Sequence, residues 1–270
     1  MNRPVYHVVA GPNGSGKTTL TRSGAFDGVA IVDPHDLARR LDPDAPEQVS
    51  MTAGREADRM IRNNLENGRD FAQETTLTSV TTLGTAREAK EKGFAIEMHF
   101  VGVRSASQSH ERVGDRVQQG GHDIPTADID RRFPKAFANA ERLAQSADRS
   151  TFYDNSEPKR PHRVVLTREG RGMTLGEDPP AWAKTLHGRL RERDRVELAR
   201  EIADVLPAGP DKERAQAAVS TLKGRAPSRG VSAPVEPGEA RSMPRLGSAE
   251  HARGQVERIR AMQKERDADI

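Results

Sequence analysis

The chain has 270 residues, of which 34% are hydrophobic, 4% aromatic and 31% charged. This composition is polar for a domain of that length, so we expect part of the chain to lie outside a packed core. The 43 basic residues nearly cancel the 40 acidic ones, and a net charge of +3 makes nucleic acid an improbable partner, because such a surface needs clustered positive charge. The lack of cysteine excludes disulfides, thiolate metal sites and a cysteine nucleophile.

No stretch of the sequence approaches the roughly 18 consecutive apolar residues that are needed to span a bilayer. The first ten residues, MNRPVYHVVA, run directly into a glycine-rich segment and leave no room for a signal peptide. We therefore expect a soluble cytoplasmic protein without a membrane partner.

Apolar runs alternate with helix-compatible stretches along about the first 185 residues. Strands are predicted over 5–10, 29–32, 71–75, 94–103, 151–155 and 163–167. Helices are predicted over 18–23, 37–41, 47–67, 80–92, 105–119 and 126–147, several of them ended by glycine. Strands that alternate with helices are typical of an α/β fold with a largely parallel sheet flanked by helices.

The composition changes beyond about Gly188. Charged helices are predicted over 189–206 and 213–223, and the segment 225–247 is so rich in Pro, Gly, Ser and Ala that we expect a disordered linker. A polar helix over 248–269 follows. The sequence therefore predicts a catalytic domain over 1–188 and a helical and disordered C-terminal extension over 189–270.

The segment after the first predicted strand matches the pattern G-x-x-x-x-G-K-[ST] completely, which predicts a P-loop NTPase fold. Backbone N–H groups of such a loop surround phosphate oxygens, and the following helix adds its positive N-terminus. Lys17 is expected to reach the β- and γ-phosphates, and the Thr18 hydroxyl is expected to ligate Mg²⁺. The predicted contacts to ATP or GTP are Gly11, Pro12, Asn13, Gly14, Ser15, Gly16, Lys17, Thr18 and Thr19.

The absence of other motifs limits the classes of nucleotide-binding protein to which the chain can belong. The sequence has no LSGGQ-like signature of a transporter ATPase and no N-K-x-D guanine motif of a regulatory GTPase. The long strand over 94–103 carries Glu97 in its middle and does not end in the Asp-Glu pair of a Walker B motif. With transporter ATPases and regulatory GTPases excluded, the sequence fits the pattern of small kinases. The eight histidines are scattered and form no recognisable metal set, so Mg²⁺ is the only metal expected.

Arginines on two successive predicted helices indicate a lid. Arg112 and Arg116 are four residues apart and share a helix face, and Arg131 and Arg132 follow the Gly120-Gly121 break on the next helix. A helix–loop–helix with arginines on both arms is typical of a lid that closes over nucleotide phosphates. The alternative is a solvated charged surface, because the same stretch holds Glu111, Asp115, Asp123, Asp128 and Asp130.

Five segments together resemble the zeta toxin family of P-loop kinases, in its compact zeta-like branch. In chain order they are GPNGSGKTTL, VDPHDLARRLDP, FAQETTL, ERVGDRVQQGGHDIPTADIDRRFPKAFAN and FYDNS. They span about residues 5–185, roughly two thirds of the chain, and the GGHDIP segment followed by the arginine pair is the most specific of them.

The resemblance implies transfer of a phosphoryl group from ATP or GTP to a sugar nucleotide, UDP-N-acetylglucosamine in the toxin members. It implies substrate contacts from Glu74, Thr75 and Thr76, and phosphate contacts from lid arginines. The best-placed arginines are Arg116 and Arg132, with Arg112 and Arg131 close behind. Because zeta toxins are restrained by antitoxins, it also implies a possible antitoxin partner.

The sequence departs from the family pattern where the catalytic base is expected. The family has Asn or Asp, one residue and then the catalytic Asp, whereas this chain reads Asp33-Pro34-His35-Asp36. Asp36 is the preferred base after a local shift, and His35, whose ordinary pKa suits proton transfer, and Asp33 are the alternatives. A further alternative is that phosphoryl transfer is weak or absent and that the chain is a nucleotide-binding regulatory module.

Overall fold

The computed structural model describes residues 3–119 and 124–225. The predicted Gly120-Gly121 break, the linker beyond Arg225 and the helix over 248–269 lie outside the described residues. The chain divides into two compact units, Met1–His187 and Gly188–Ile270, and of the second unit the structure describes residues 188–225.

The first unit is built on one sheet, which has seven strands in the described residues. They are β1 (Val5–Ala10), β2 (Ala30–Val32), β3 (Phe71–Thr75), β4 (Ala95–Gly102), β5 (Arg149–Asp154), β6 (Arg163–Glu169) and β7 (Gly172–Leu175). Their order across the sheet is β2-β3-β1-β4-β5-β6-β7, and every pair from β2 to β5 is parallel. The predicted α/β fold with a largely parallel sheet is confirmed.

The far edge of the sheet is antiparallel. Strand β6 pairs antiparallel with β5, and β7 pairs antiparallel with β6. The sequence prediction missed β7, which has only four residues and no apolar run of its own. A tight turn at Gly170, which has a positive φ, reverses the chain so that β7 runs back along β6. The segment is a strand because it pairs with β6, and its local sequence pattern alone would not predict one.

Helices connect the strands and continue beyond them. They are α1 (Lys17–Thr21), α2 (Pro34–Leu41), α3 (Ser50–Glu66), α4 (Thr81–Glu91), α5 (Ala106–Gln118), α6 (Thr126–Ser146), α7 (Ala181–Val205) and α8 (Pro210–Arg225). Most begin or end within a few residues of the prediction, whereas α7 begins eight residues before the predicted start at 189. In the described residues, no helix is long and apolar enough to cross a membrane.

The core lies along the central strands, whose alternate side chains are buried. On β4, Ile96, Met98 and Phe100 are at most 1% exposed. The ring of Phe100 lies 5.0 Å from that of Phe137 on α6 and 6.3 Å from that of Trp182 on α7. Because the carboxyl ends of parallel strands meet at one edge of the sheet, β1, β2 and β3 deliver their following loops to a common site.

Candidate active site

The phosphate loop joins β1 to α1, and close backbone approaches fix its shape. Gly11 has φ +153°, and a Cβ there would lie 2.2 Å from the carbonyl oxygen of Val101. Gly16 has φ +96°, and a Cβ there would lie 2.4 Å from Nδ2 of Asn155. Both positions therefore require glycine, for space as well as for backbone conformation.

The β5–β6 segment supports the loop from the side. Asn155 Nδ2 donates to the Ser15 carbonyl at 2.7 Å, and Nε2 of His162 lies 3.0 Å from the Gly16 carbonyl. Asn155 lies within the FYDNS segment of the family resemblance, whereas the sequence prediction missed His162. No motif marked His162, since its approach to the loop depends on a contact between residues 146 positions apart.

The loop has hydrogen-bonding groups that the described residues leave without a partner. The Ser15 hydroxyl and the Asn13 side-chain carbonyl are buried and have no hydrogen-bond partner among the residues described. Buried polar atoms of this kind are costly unless a ligand or water pairs with them. This feature fits a loop that binds a polar ligand.

Lys17 lies at the centre of a charged cluster. Its Nζ donates to the Pro12 carbonyl at 3.0 Å. Burial lowers the pKa of Lys17, whereas the carboxylates of Glu74 and Asp33 raise it and the guanidinium of Arg116 lowers it. Carboxylates from the ends of β2 and β3 and a guanidinium from the lid helix α5 therefore act electrostatically on this one ammonium group.

Glu74, at the end of β3, contacts the first turn of α1. The Thr18 hydroxyl donates to its Oε1 at 2.6 Å, and the Thr21 hydroxyl donates to its Oε2 at 3.1 Å. Burial and the neighbouring Asp33 raise the pKa of the Glu74 carboxyl, and the bonds from Thr18 and Thr21 together with Lys17 partly oppose them. A hydroxyl beside a carboxylate is a donor set of hard oxygens, which Mg²⁺ prefers.

The three candidate bases lie in different surroundings. Asp33 is only 7% exposed, and its Oδ1 accepts the His35 N–H at 2.9 Å, so it caps α2. Asp36 lies within ion-pair distance of three arginines, at 2.6 Å from Arg40, 3.5 Å from Arg39 and 3.7 Å from Arg22. His35 is on the exposed side of α2.

The four lid arginines also differ in their surroundings. On α5, Nη1 of Arg112 lies 3.5 Å from the Gly14 carbonyl. The positive charge of Arg116, on the same helix, lowers the pKa of Lys17. On α6, Arg131 and Arg132 are paired with Asp128 at 2.6 and 2.8 Å. Packing of the buried Val113, Ile124 and Ile129 joins the two arms of the lid. The structure thus brings the α5 arginines to the phosphate loop, and it pairs the α6 arginines within their own helix.

The remaining predicted substrate contacts follow Glu74. The Thr75 hydroxyl accepts the Leu77 N–H at 3.0 Å, and the Thr76 and Thr78 hydroxyls lie 3.2 Å apart. Leu77 has φ +56°, and its carbonyl accepts a 2.9 Å bond from Asn139 on α6. Asn139 therefore holds the segment that carries Thr75 and Thr76 against the lid helix.

A family sequence model and a relative from another organism match this chain. The sequence model of the zeta toxin family matches residues 1–163. An uncharacterized protein of Haemophilus influenzae is 32% identical over 124 residues, which cover 46% of this chain and 86% of that protein.

Two solved structures have a similar fold at low sequence identity. The PezAT toxin–antitoxin system of Streptococcus pneumoniae contains a chain that matches with a TM-score of 0.52 and 15% identity, over 85% of this chain and 89% of that one. The AvrRxo1-ORF1:ORF2 complex with ATP contains one that matches with a TM-score of 0.53 and 16% identity, over 83% and 77% of the two chains. The family match covers more than half of the sequence, and the phosphate loop with its neighbouring carboxylates lies within it. The chain therefore belongs to the zeta toxin family and is a P-loop kinase that binds a nucleoside triphosphate for phosphoryl transfer.

Proposed function

We propose that the acceptor is a hydroxyl of a sugar nucleotide such as UDP-N-acetylglucosamine, with ATP or GTP as the donor and Mg²⁺ as the metal. The observation that carries phosphoryl transfer is the cluster around Lys17, and membership of the zeta toxin family is what suggests a sugar nucleotide as the acceptor. The ammonium that binds β- and γ-phosphates there lies within electrostatic range of two carboxylates, Asp33 and Glu74, and of Arg116. Phosphoryl transfer needs these groups: a cation for the phosphates, a base for the acceptor hydroxyl and an arginine for the developing charge.

The residues present fit a magnesium ion. Thr18 and Glu74 would hold it, directly or through water, because their oxygens already lie together beside the phosphate loop. The ion neutralises charge on the phosphates when it is bound. The protein's own contribution is to keep the Thr18 hydroxyl and the Glu74 carboxylate in place, and Thr21 supports it by its bond to the second carboxylate oxygen.

Asp33 is the base in this proposal, rather than the Asp36 that the sequence pattern favours. The Asp36 carboxylate is engaged in ion pairs with three arginines, Arg22, Arg39 and Arg40, on the side of α2. Asp33 is buried, acts on both Lys17 and Glu74, and has one oxygen left after capping α2. A base must lie near the transferred phosphoryl group, which Lys17 marks.

The substrate contacts follow from the same arrangement. Glu74, Thr75 and Thr76 end β3 next to the cluster and would orient the acceptor sugar. Arg116 and Arg112 would contact the phosphates from α5, and Arg131 and Arg132 would do so from α6 after release from Asp128. An antitoxin is a further proposed partner, since the two similar solved structures are complexes whose names describe a toxin–antitoxin system or an ORF1:ORF2 pair.

Nucleotide turnover measured with and without acceptors tests this proposal. The purified chain is given ATP or GTP with Mg²⁺, first alone and then with UDP-N-acetylglucosamine, other sugar nucleotides or free sugars. The proposal predicts turnover that depends on a sugar nucleotide. Tight nucleotide binding with no turnover under any acceptor would favour the regulatory module, and turnover with free sugars alone would reject the sugar nucleotide as the substrate class.

A further inference from the structure

Two histidines and a glutamate from neighbouring strands meet on one face of the sheet. His7 on β1 is the register partner of Glu97 on β4, and His99 follows two residues later on the same face. Their side chains are 17%, 24% and 16% exposed, respectively. No local pattern marks this group, because His7 is 90 or more residues from Glu97 and His99 and meets them only when β1 pairs with β4.

The three side chains turn one atom each toward a common point. Nδ1 of His7 lies 3.4 Å from Nε2 of His99 and 3.6 Å from Oε2 of Glu97, and the last two atoms are 4.0 Å apart. A point equidistant from these atoms lies about 2.1 Å from each of them, which is the bond length of Zn²⁺ to histidine nitrogen and carboxylate oxygen. The triangle therefore fits an ion without rearrangement of the backbone.

Groups around the triangle hold its members in this orientation. Nδ1 of His99 lies 3.3 Å from the Tyr153 hydroxyl, so a proton on Nδ1 leaves the lone pair of Nε2 facing the triangle. Arg149 lies 3.5 Å from Oε1 of Glu97, which leaves Oε2 for the histidines. Phe26 packs edge-on against both imidazoles, with ring centroids 5.5 Å from His7 and 5.1 Å from His99.

Neutral imidazole is the form of histidine that binds metal. Two nitrogens and one oxygen suit a borderline divalent ion such as Zn²⁺, Ni²⁺ or Co²⁺, whereas Mg²⁺ and Ca²⁺ prefer oxygen alone.

We propose that His7, Glu97 and His99 form a binding site for one divalent transition-metal ion of the zinc class. The ion would link β1 to β4, four residues before the start of the phosphate loop at Gly11. Its role would be to stabilise the central strands, separately from the Mg²⁺ that accompanies the nucleotide. The site is independent of the kinase proposal, since none of its residues belongs to the cluster around Lys17.

Metal binding to the full-length chain, freed of any tag and of bound metal, tests the site. Zn²⁺ is titrated by calorimetry, Co²⁺ by its visible spectrum, and Mg²⁺ serves as the negative control. We expect one Zn²⁺ per chain, a higher unfolding temperature with Zn²⁺, and a Co²⁺ spectrum of four- or five-coordinate nitrogen and oxygen ligation. His99→Gln and Glu97→Gln should each weaken Zn²⁺ binding at least about 100-fold, more than loss of an outer partner of a ligand does.

His110→Gln is the matched control, because His110 on α5 contacts a carboxylate, Asp130 on α6, at 2.9 Å, and neither helix carries a member of the triangle. This variant should bind Zn²⁺ as the wild type does. The proposal is overturned if wild type takes up no Zn²⁺, or if His99→Gln and Glu97→Gln, folded by circular dichroism, bind it as tightly as wild type. If one of the two variants fails to fold, the Zn²⁺ affinities of the other variant and of His7→Gln decide the test.

Discussion

The Thr18 hydroxyl donates a 2.6 Å hydrogen bond to Oε1 of Glu74, and this bond joins the phosphate loop to the end of β3. Thr18 is the residue that a P-loop offers to Mg²⁺, so in the proposed mechanism Glu74 would affect both the metal and the acceptor. Burial of this carboxylate costs stability in the folded chain. The relationship therefore predicts opposite effects of one substitution on stability and on activity.

Glu74→Gln is expected to raise stability at neutral pH and to lower kinase activity. The pKa of Glu74 in the folded chain is raised above its ordinary value of 4.5. The folded state therefore binds more protons than the unfolded state in the window above that value, and wild type loses stability as pH rises through it. Glutamine keeps hydrogen-bonding groups for Thr18 and Thr21 and does not ionise.

Unfolding temperatures of both proteins between about pH 4.5 and 8 measure this effect. The difference in favour of Glu74→Gln should grow as pH rises. A constant difference, or one that shrinks, would show that the carboxylate carries no burial penalty. Glu88→Gln on the exposed side of α4 is the control and should show no such trend.

Asp33→Asn is expected to lower kcat about 100-fold or more while nucleotide affinity changes little, as loss of a general base does. Asparagine also caps helices, so α2 should survive the substitution. Asp36→Asn removes ion pairs with exposed arginines and should change kcat only slightly. His35→Ala is the third variant, and loss of kcat in Asp36→Asn or His35→Ala with retention in Asp33→Asn would move the base to that residue.

Arg116→Ala is expected to lower kcat about 10²–10³-fold, because an arginine near the transferred group stabilises charge that develops in the transition state. Arg131→Ala is its matched control on the other arm of the lid. Arg131 is 56% exposed and paired with Asp128, so its loss should cost much less. Steady-state kinetics measure kcat of both variants. A lower kcat for Arg131→Ala than for Arg116→Ala would contradict this ranking.

Gly102→Ala is expected to destabilise the first unit by about 1–3 kcal/mol, a typical cost of overpacking a core. A Cβ at Gly102 would lie 2.6 Å from the Trp182 ring, which would have to move. Gly84→Ala, in the middle of α4 with open space around it, is the control and should stabilise by about 0.5–1 kcal/mol. Denaturant unfolding followed by the fluorescence of Trp182 measures both.

The sequence predicted those features that local pattern determines. The bounds of β1 and β3 are as predicted, because an apolar run ended by polar or glycine residues marks a buried strand. The phosphate loop was found from four residues at fixed spacing.

Features that depend on contacts across the chain were not predicted. The approach of His162 to Gly16 and the meeting of His7 with His99 join residues far apart in sequence. Asp36 was the preferred base only after a local shift of the family pattern, and the sequence could not show that Arg22, Arg39 and Arg40 would lie around it, since Arg22 comes from another element. The charges around a carboxylate depend on tertiary structure, and the choice of base depends on them.

The mass of the acceptor after incubation with ATP, Mg²⁺ and the enzyme tests the central claim most directly. UDP-N-acetylglucosamine should gain the mass of one phosphate with wild type and with the surface variant Lys92→Ala. It should gain none with Lys17→Ala, which lacks the ammonium that binds the phosphates. An unchanged acceptor mass with wild type that binds ATP tightly, or an equal product yield from Lys17→Ala, would contradict the account.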